Sequence, residues 1–233
     1  MSGTLYGVGL GPGDPELMTL KADRLIRSAS VVAYPALTAG DSFARAIAAA
    51  AIPEFAREIR IEVPMTLARA PAQAAYDSAA TEIAASLKSG QDVVCLCEGD
   101  PFFYGSFMYL HARLATRFEV QVVPGVTSMT ACAARAARPL VARNEVLTVI
   151  PGPLPEDELA DRILRADTAV IMKVGRHLAK IRNVLLQTGF ADTARYLERA
   201  TLPAERALPL AEAPDPAPYF SMILVTKGAD PWL

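Results

Sequence analysis

Short apolar, β-branched runs alternate along this chain with longer Ala/Leu-rich stretches whose apolar residues recur at helical spacing. Residues 5–10, 31–34, 59–63, 93–97 and 120–123 predict short buried strands. Residues 15–29, 43–56, 73–88, 105–115 and 126–137 predict helices between and after them. Strands alternating with helices at this rhythm predict a parallel sheet covered by helices. The polar break PLVARN at 139–144 then predicts a linker, separating a domain over 1–138 from one over 145–233. The second half restarts with strand 146–150, helix 155–165, strand 169–174 and helix 178–188, followed by strands 196–198 and 221–225. Residues 203–218, rich in Pro and Ala, predict a long connection. Neither an internal repeat nor a low-complexity tract interrupts this pattern.

Composition changes the picture little. At 233 residues and 52% hydrophobic the chain is long and apolar enough for two modest cores. Mean hydropathy is +0.25, which raises the question of a membrane span. The most apolar helical stretch, 46–52, stops at Pro53, far short of the about 20 residues a span needs. The N-terminus MSGTLYGVGLG has neither a basic n-region nor a cleavable apolar core. A cytoplasmic protein without a membrane partner is the expectation. Net charge is −2, so bulk electrostatics do not attract nucleic acid, and an anionic ligand would need a local basic cluster. The three cysteines, Cys95, Cys97 and Cys132, do not form an even disulfide framework. Cys95 and Cys97, two apart on a strand, read as small core residues sharing one face. The two histidines, His111 and His177, lie in separate helical regions, so neither a metal set nor a hydrolytic triad is expected.

The first strand runs into Gly7-Val8-Gly9-Leu10-Gly11-Pro12-Gly13-Asp14. A dinucleotide G-x-G-x-x-G would need glycine where Pro12 or Asp14 stands, and no acidic residue ends the second strand at Tyr34-Pro35. That argues against a nicotinamide-dependent oxidoreductase. Asp14 instead suits a helix N-cap with Pro15 at the first helical position. A well-capped turn explains this loop structurally. A ligand loop explains it functionally, because ligands of open α/β sheets gather at the carboxyl ends of strands.

Two further loops share that predicted edge. Glu98-Gly99-Asp100-Pro101-Phe102-Phe103-Tyr104-Gly105 places two acids beside aromatic rings, which suits a ligand with a positive centre and an aromatic base, although Asp-Pro alone also initiates turns. Pro124-Gly125-Val126-Thr127-Ser128 closes a strand and opens a helix, where hydroxyls and N–H groups cap the helix or hold an anion. Three such loops make a binding site more probable than one does. Arg135, Arg138 and Arg143 cluster near the linker; Lys173, Arg176, His177, Lys180 and Arg182 follow a strand of the second half. They read either as solvated helix faces or as a basic trough for carboxylates.

Together these segments resemble the tetrapyrrole (corrin/porphyrin) methylases over essentially the whole chain. The matching motifs are GLGPGDPELMTLKA, EGDPFFYGSFMYL and VVPGVTSMTACAA, then VIMKVGR, ERATLP and YFSMILV. TLYGVGLGPGDPEL, EVLTVIPG and YFSMILVTKG resemble most the branch that methylates precorrin-2 at C20. Glu98-Gly99-Asp100 departs from the Gly-Gly-Asp usual in the uroporphyrinogen III methyltransferases, a relative kept as an alternative together with enzymes acting on a cobalt-bearing ring. The resemblance implies two α/β domains, the first with a mostly parallel five-stranded sheet and the second with a mixed sheet, and an active site in the cleft between them. It implies S-adenosyl-L-methionine as cofactor, a tetrapyrrole (precorrin-2) as partner, and usually a homodimer. It places the cofactor beside Pro12, Gly99, Asp100, Phe103, Thr127, Ser128, Thr130, Ala131, Met172, Ala200, Ser221 and Met222. Glu98, Asp100 and Tyr104 are the candidate catalytic groups by position. Arg135, Arg138, Arg143 and Arg176 are the candidates for the substrate's carboxylates. A tetrapyrrole carrier without catalysis stays open as a further reading.

Overall fold

The computed structural model describes residues 1–38, 40–64 and 68–228. The chain forms two compact units, Met1–Thr127 and Ser128–Leu233. The first holds strands β1 (Leu5–Gly9), β2 (Val31–Leu37), β3 (Arg57–Val63), β4 (Val93–Cys97) and β5 (Val120–Val123). All pair in parallel, in the order β3-β2-β4-β1-β5. Helices α1 (Leu20–Arg27) and α2 (Phe43–Ala48) cover one face, packing Ile26 and Ile47 on Val8, Val32 and Leu96. Helices α3 (Arg69–Lys88) and α4 (Phe107–Leu114) cover the other, packing Ile83, Leu87, Phe107 and Leu110 on Leu5, Ala33, Cys95 and Cys97. Each large side chain so buried contributes roughly 1.5–3 kcal/mol. Cys95 and Cys97 are thus core residues on one face, with no disulfide between them.

Several boundaries differ from the sequence expectation for identifiable reasons. The helix expected over 15–29 is split. Asp14 caps a 3-10 turn at Pro15–Leu17 through the Glu16 N–H, at 2.9 Å. Met18 and Thr19 are then extended, and Thr19 caps α1 through the Ala22 N–H at 3.1 Å. A second good cap so close to the first restarts the helix. Strand β2 continues past Tyr34 through Pro35. Strand β4 pairs with β2 only at Val32 and Ala33, so the missing proline N–H disturbs no ladder there. Strand β3 is an edge whose Ile59 and Ile61 are buried while Arg57, Glu58, Arg60 and Glu62 are exposed, a charge pattern that discourages edge-to-edge pairing.

The second unit opens with α5 (Ser128–Arg135) and continues through β6 (Leu147–Pro151), α6 (Glu156–Arg165), β7 (Thr168–Met172), α7 (Leu178–Gln187), β8 (Ala194–Glu198), β9 (Arg206–Pro209) and β10 (Ser221–Thr226). Its sheet is mixed, in the order β6-β7-β10-β8-β9, with only β6 and β7 parallel. Helices α6 and α7 pack one face; α5 packs the other through Cys132 and Ala133. Because α5 buries its apolar side against this sheet, the division of the chain falls at Thr127/Ser128, ahead of the 139–144 segment expected to be the linker. Strand β9 lies inside the stretch expected to be a plain connection. Its sequence, RALP, has no β-branched residue, and pairing to β8 alone makes it a strand. Among the described residues no helix is long and apolar enough to cross a membrane.

Candidate functional site

The chain leaves β1 toward the face covered by α1 and α2, and leaves β4 toward the face covered by α4. These two strands are neighbours, so their onward connections diverge at their carboxyl ends, the edge where open α/β sheets bind ligands. The three segments singled out from the sequence, 7–14, 98–105 and 124–128, all reach this edge.

Backbone contacts weld these loops. The Gly11 N–H donates to the Gly99 carbonyl at 3.2 Å and the Gly99 N–H to the Gly11 carbonyl at 2.7 Å, a two-bond bridge past the end of the β1–β4 ladder. A Cβ on Gly125 would lie 2.1 Å from the Gly99 oxygen, and one on Gly9 would lie 2.6 Å from the Gly125 nitrogen. Only glycine permits that approach. The glycine cluster is therefore a packing device for backbones as much as a turn. Asp100 completes the weld. Its Oδ1 accepts the Phe102 and Phe103 N–H groups at 2.9 and 3.1 Å, and its Oδ2 accepts the Gly125 N–H at 3.0 Å.

The three catalytic candidates are thereby distinguished. Asp100 has both oxygens committed to backbone donors. Glu98 is half-buried. Burial raises its carboxyl above the usual range, opposed by backbone N–H bonds from Glu98 itself and Ala44. Tyr104 is 45% exposed and holds a left-handed backbone, φ 56°. Its ring stands edge-on to Phe103 at 5.2 Å. Pro12 is half-buried in the first loop and Thr127 in the third.

In the second unit, Met172, Ala200 and Met222 come together with Cys132, Ala133 and Leu197 beneath α5. Ser221 neighbours Met222 on β10 but belongs to the other face. Its hydroxyl donates to the Pro218 carbonyl at 2.7 Å and receives the Gly175 N–H at 3.4 Å. On α5, Ser128 is half-buried, Thr130 exposed and Ala131 buried. Left-handed non-glycine residues mark the strand ends here too: Lys173 follows Met172, and Arg199 and Thr201 flank Ala200. Such conformations cost about 1–3 kcal/mol each and cluster at functional sites.

Arg135 is ion-paired with Glu205, Nε to Oε1 at 2.6 Å, and Arg138 donates to the Thr193 carbonyl at 3.3 Å. Arg143, in the loop before β6, and Arg176, past the end of β7, are exposed. Sequence reasoning did not single out Glu205, or Glu198, which is 3% exposed and takes the Tyr196 hydroxyl at 2.6 Å. The only available signal was two glutamates flanking the RATLPA stretch. A cavity of about 300 Å³ opens at the other edge of the first sheet, lined by Ser28, Ser30, Gln91 and Asp92, none of them a candidate. Among the described residues no three His, Cys, Asp or Glu side chains gather as a metal ion would require.

The family model of the Tetrapyrrole (Corrin/Porphyrin) Methylases matches residues 4–214. The chain is 45% identical over 235 residues to the Cobalamin biosynthesis protein CobIJ of Mycobacterium tuberculosis. It covers 46% of that protein, so it spans about half the length of that curated relative. It is 44% identical to a Precorrin-2 C(20)-methyltransferase of Sinorhizobium sp, covering 98% of this chain and 97% of that one. It is 35% identical to the Cobalt-precorrin-2 C(20)-methyltransferase of Salmonella typhimurium, over 97% and 98% of the two chains. Among solved structures, the cobalt precorrin-4 methyltransferase CbiF superposes with a TM-score of 0.77 at 25% identity, over 98% of this chain and 96% of that one. A Uroporphyrin-III C-methyl transferase of Thermus thermophilus, complexed with S-adenyl homocysteine, superposes with a TM-score of 0.68 at 26% identity, over 97% and 92%.

Proposed function

This chain belongs to the tetrapyrrole (corrin/porphyrin) methylases, and on that premise we propose that it methylates precorrin-2 at C20, giving precorrin-3A in cobalamin biosynthesis, with S-adenosyl-L-methionine as donor. The observation that carries this reading is the end-to-end likeness to the Sinorhizobium enzyme. The likeness to the Salmonella enzyme supports a second reading, in which the same carbon is methylated on a cobalt-bearing ring.

The residues present fit the cofactor. The carboxyl edge of the first sheet carries the Glu98 carboxyl, the Phe103 and Tyr104 rings and a glycine-lined backbone, which suits a positively charged sulfonium joined to an aromatic base. The family resemblance assigns Pro12, Gly99, Asp100, Phe103 and Thr127 of the first unit to it, and Ser128, Thr130, Ala131, Met172, Ala200, Ser221 and Met222 of the second. When bound, that group supplies an electrophilic methyl and leaves as S-adenosyl-L-homocysteine.

The acceptor is a meso carbon of a reduced tetrapyrrole, which reacts as an enamine and needs no strong base. The protein's main task is alignment, an effect worth up to ~7–11 kcal/mol. The welded loops serve it, because donors and rings on a rigid edge need no reordering. A proton must still leave the methylated carbon. We assign its acceptance to Glu98, whose carboxyl has a raised proton affinity, over Asp100, whose oxygens already hold three N–H groups. Arg143 and Arg176 are assigned to the substrate's carboxylates.

The test is mass spectrometry after incubation with S-adenosyl-L-methionine and precorrin-2, with and without cobalt. Gain of one methyl on metal-free precorrin-2 is expected. Methylation only with cobalt would favour the second reading, and binding without methyl transfer would reduce the protein to a carrier.

A further inference from the structure

Glu205 stands where α5 meets the turn after β8. Its side chain is 15% exposed; Oε1 accepts Arg135 Nε at 2.6 Å and Oε2 accepts the Thr201 backbone N–H at 2.6 Å. That N–H belongs to a segment in which Arg199 and Thr201 both hold positive φ, 49° and 74°. Between them Ala200 is buried under α5 against Cys132 and Met222. Two left-handed non-glycine residues two positions apart persist only where their surroundings over-determine them. The surroundings here are visible. Arg199 N–H donates to the Phe220 carbonyl at 2.9 Å and Leu202 N–H to the Arg199 carbonyl at 3.0 Å, while Glu205 takes the Thr201 N–H and binds that end of the turn to α5. The carboxylate's field also reaches the buried side of the helix: burial first, and then the Glu205 charge, push the Cys132 thiol up to about 12.

We propose that Arg135, Glu205 and Thr201 form a positioning relay that holds the Ala200 turn in its cofactor-binding conformation. The proposal rests on the methyltransferase reading above. It reassigns Arg135 from the substrate's carboxylates to the protein's own. None of the three is asked to touch the reacting atoms. Arg135 is 56% exposed, so its ion pair contributes little to global stability. Its effect is geometric, aiming a carboxylate that in turn fixes a strained backbone.

That separation gives the test. S-adenosyl-L-homocysteine is titrated calorimetrically into the full chain and into Arg135→Ala, Arg135→Lys, Glu205→Gln and the pair Arg135→Ala/Glu205→Gln, with Tm measured in parallel. Each loss of the ion pair should raise Kd about tenfold, equivalent to ~1.4 kcal/mol, with Tm nearly unchanged. The pair should be no worse than the weaker-binding single variant, because both break one relay. Arg135→Lys should recover part of the affinity. The KM for precorrin-2 at saturating cofactor should not move. Folded variants whose cofactor Kd stays near the wild-type value would overturn the relay, as would a raised precorrin-2 KM in Arg135→Ala with cofactor affinity intact. If Glu205→Gln does not fold, Arg135→Ala decides alone. Failure of the unaltered protein to bind S-adenosyl-L-homocysteine would instead remove the methyltransferase reading.

Discussion

The Asp100 carboxylate and the Gly125 backbone, 25 positions apart, are joined by one hydrogen bond of 3.0 Å. It ties the loop after β4 to the loop after β5 across the end of β1. The other oxygen of Asp100 holds its own loop closed on Phe102 and Phe103. One side chain thus sets the relative position of two of the three loops at this edge.

Asp100→Ala should therefore lower both stability and affinity for S-adenosyl-L-homocysteine. Three N–H groups lose a charged acceptor, and leaving a part-buried donor unsatisfied costs about 1–3 kcal/mol. Urea unfolding and calorimetric titration of the same preparation check this. Full stability in Asp100→Ala would show that water replaces the carboxylate without cost.

Gly125→Ala tests the close approach. Its Cβ would meet the Gly99 oxygen at 2.1 Å, so the loops must separate. Overpacking of this kind costs about 1–3 kcal/mol. A Tm equal to that of the unaltered protein would mean that the loops part freely.

Glu98 predicts a pH effect whose sign follows from its raised carboxyl. The folded state holds the proton more tightly than the unfolded state does. This group's contribution to stability is therefore greatest below the ordinary carboxylate pKa and is lost as pH rises through the folded value. Glu98→Gln should gain in Tm relative to the unaltered protein at pH 8 more than at pH 4. In the methylation assay the acid limb of kcat should lie above the ordinary carboxylate range and vanish in Glu98→Gln together with most of the turnover. A Glu98→Gln variant with undiminished turnover would remove Glu98 as proton acceptor.

Tyr196→Phe removes the buried donor to Glu198, a bond of 2.6 Å to a carboxylate that also meets Arg199 and Arg206 at 3.3 and 3.6 Å. Hydrogen bonds to charged groups contribute about 1.5–3 kcal/mol, and a loss of that size is expected in urea unfolding. In the unaltered protein Tyr196 should ionise only above the ordinary tyrosine range, because burial first and then Glu198 oppose its phenolate. A normal phenol titration would mean that water reaches the ring.

Arg143 and Arg176 carry the last prediction. The chain has net charge −2, while the proposed substrate is a polycarboxylate, so local arginines must outweigh a weak repulsion at long range. At a Debye length of ~8 Å near physiological salt, nearby groups dominate. Neutralising both should raise the KM for precorrin-2 and flatten its salt dependence, leaving S-adenosyl-L-homocysteine binding unchanged. An unaltered salt slope would make them solvated surface.

Much of this protein is legible in its residues taken in order. Strand–helix alternation, the Asp14 and Pro15 start signal and the inward pairing of Cys95 with Cys97 depend on neighbours a few positions away, so local periodicity and capping determine them. The loops at the carboxyl edge were readable for the same reason: each is a strand followed by glycine and polar turn residues. What the residues alone did not decide is everything that requires a distant partner. RALP becomes β9 only because β8 lies beside it. Helix α5 joins the second unit only because Cys132 and Ala133 find an apolar sheet face to bury. Arg135 reads as a substrate group until Glu205, 70 positions on, takes its charge. Asp100 reads as a candidate base until the Gly125 N–H fills its second oxygen. A charged side chain's role is set by whichever opposite or donor group the fold brings within hydrogen-bond reach, and that distance is a property of the tertiary structure.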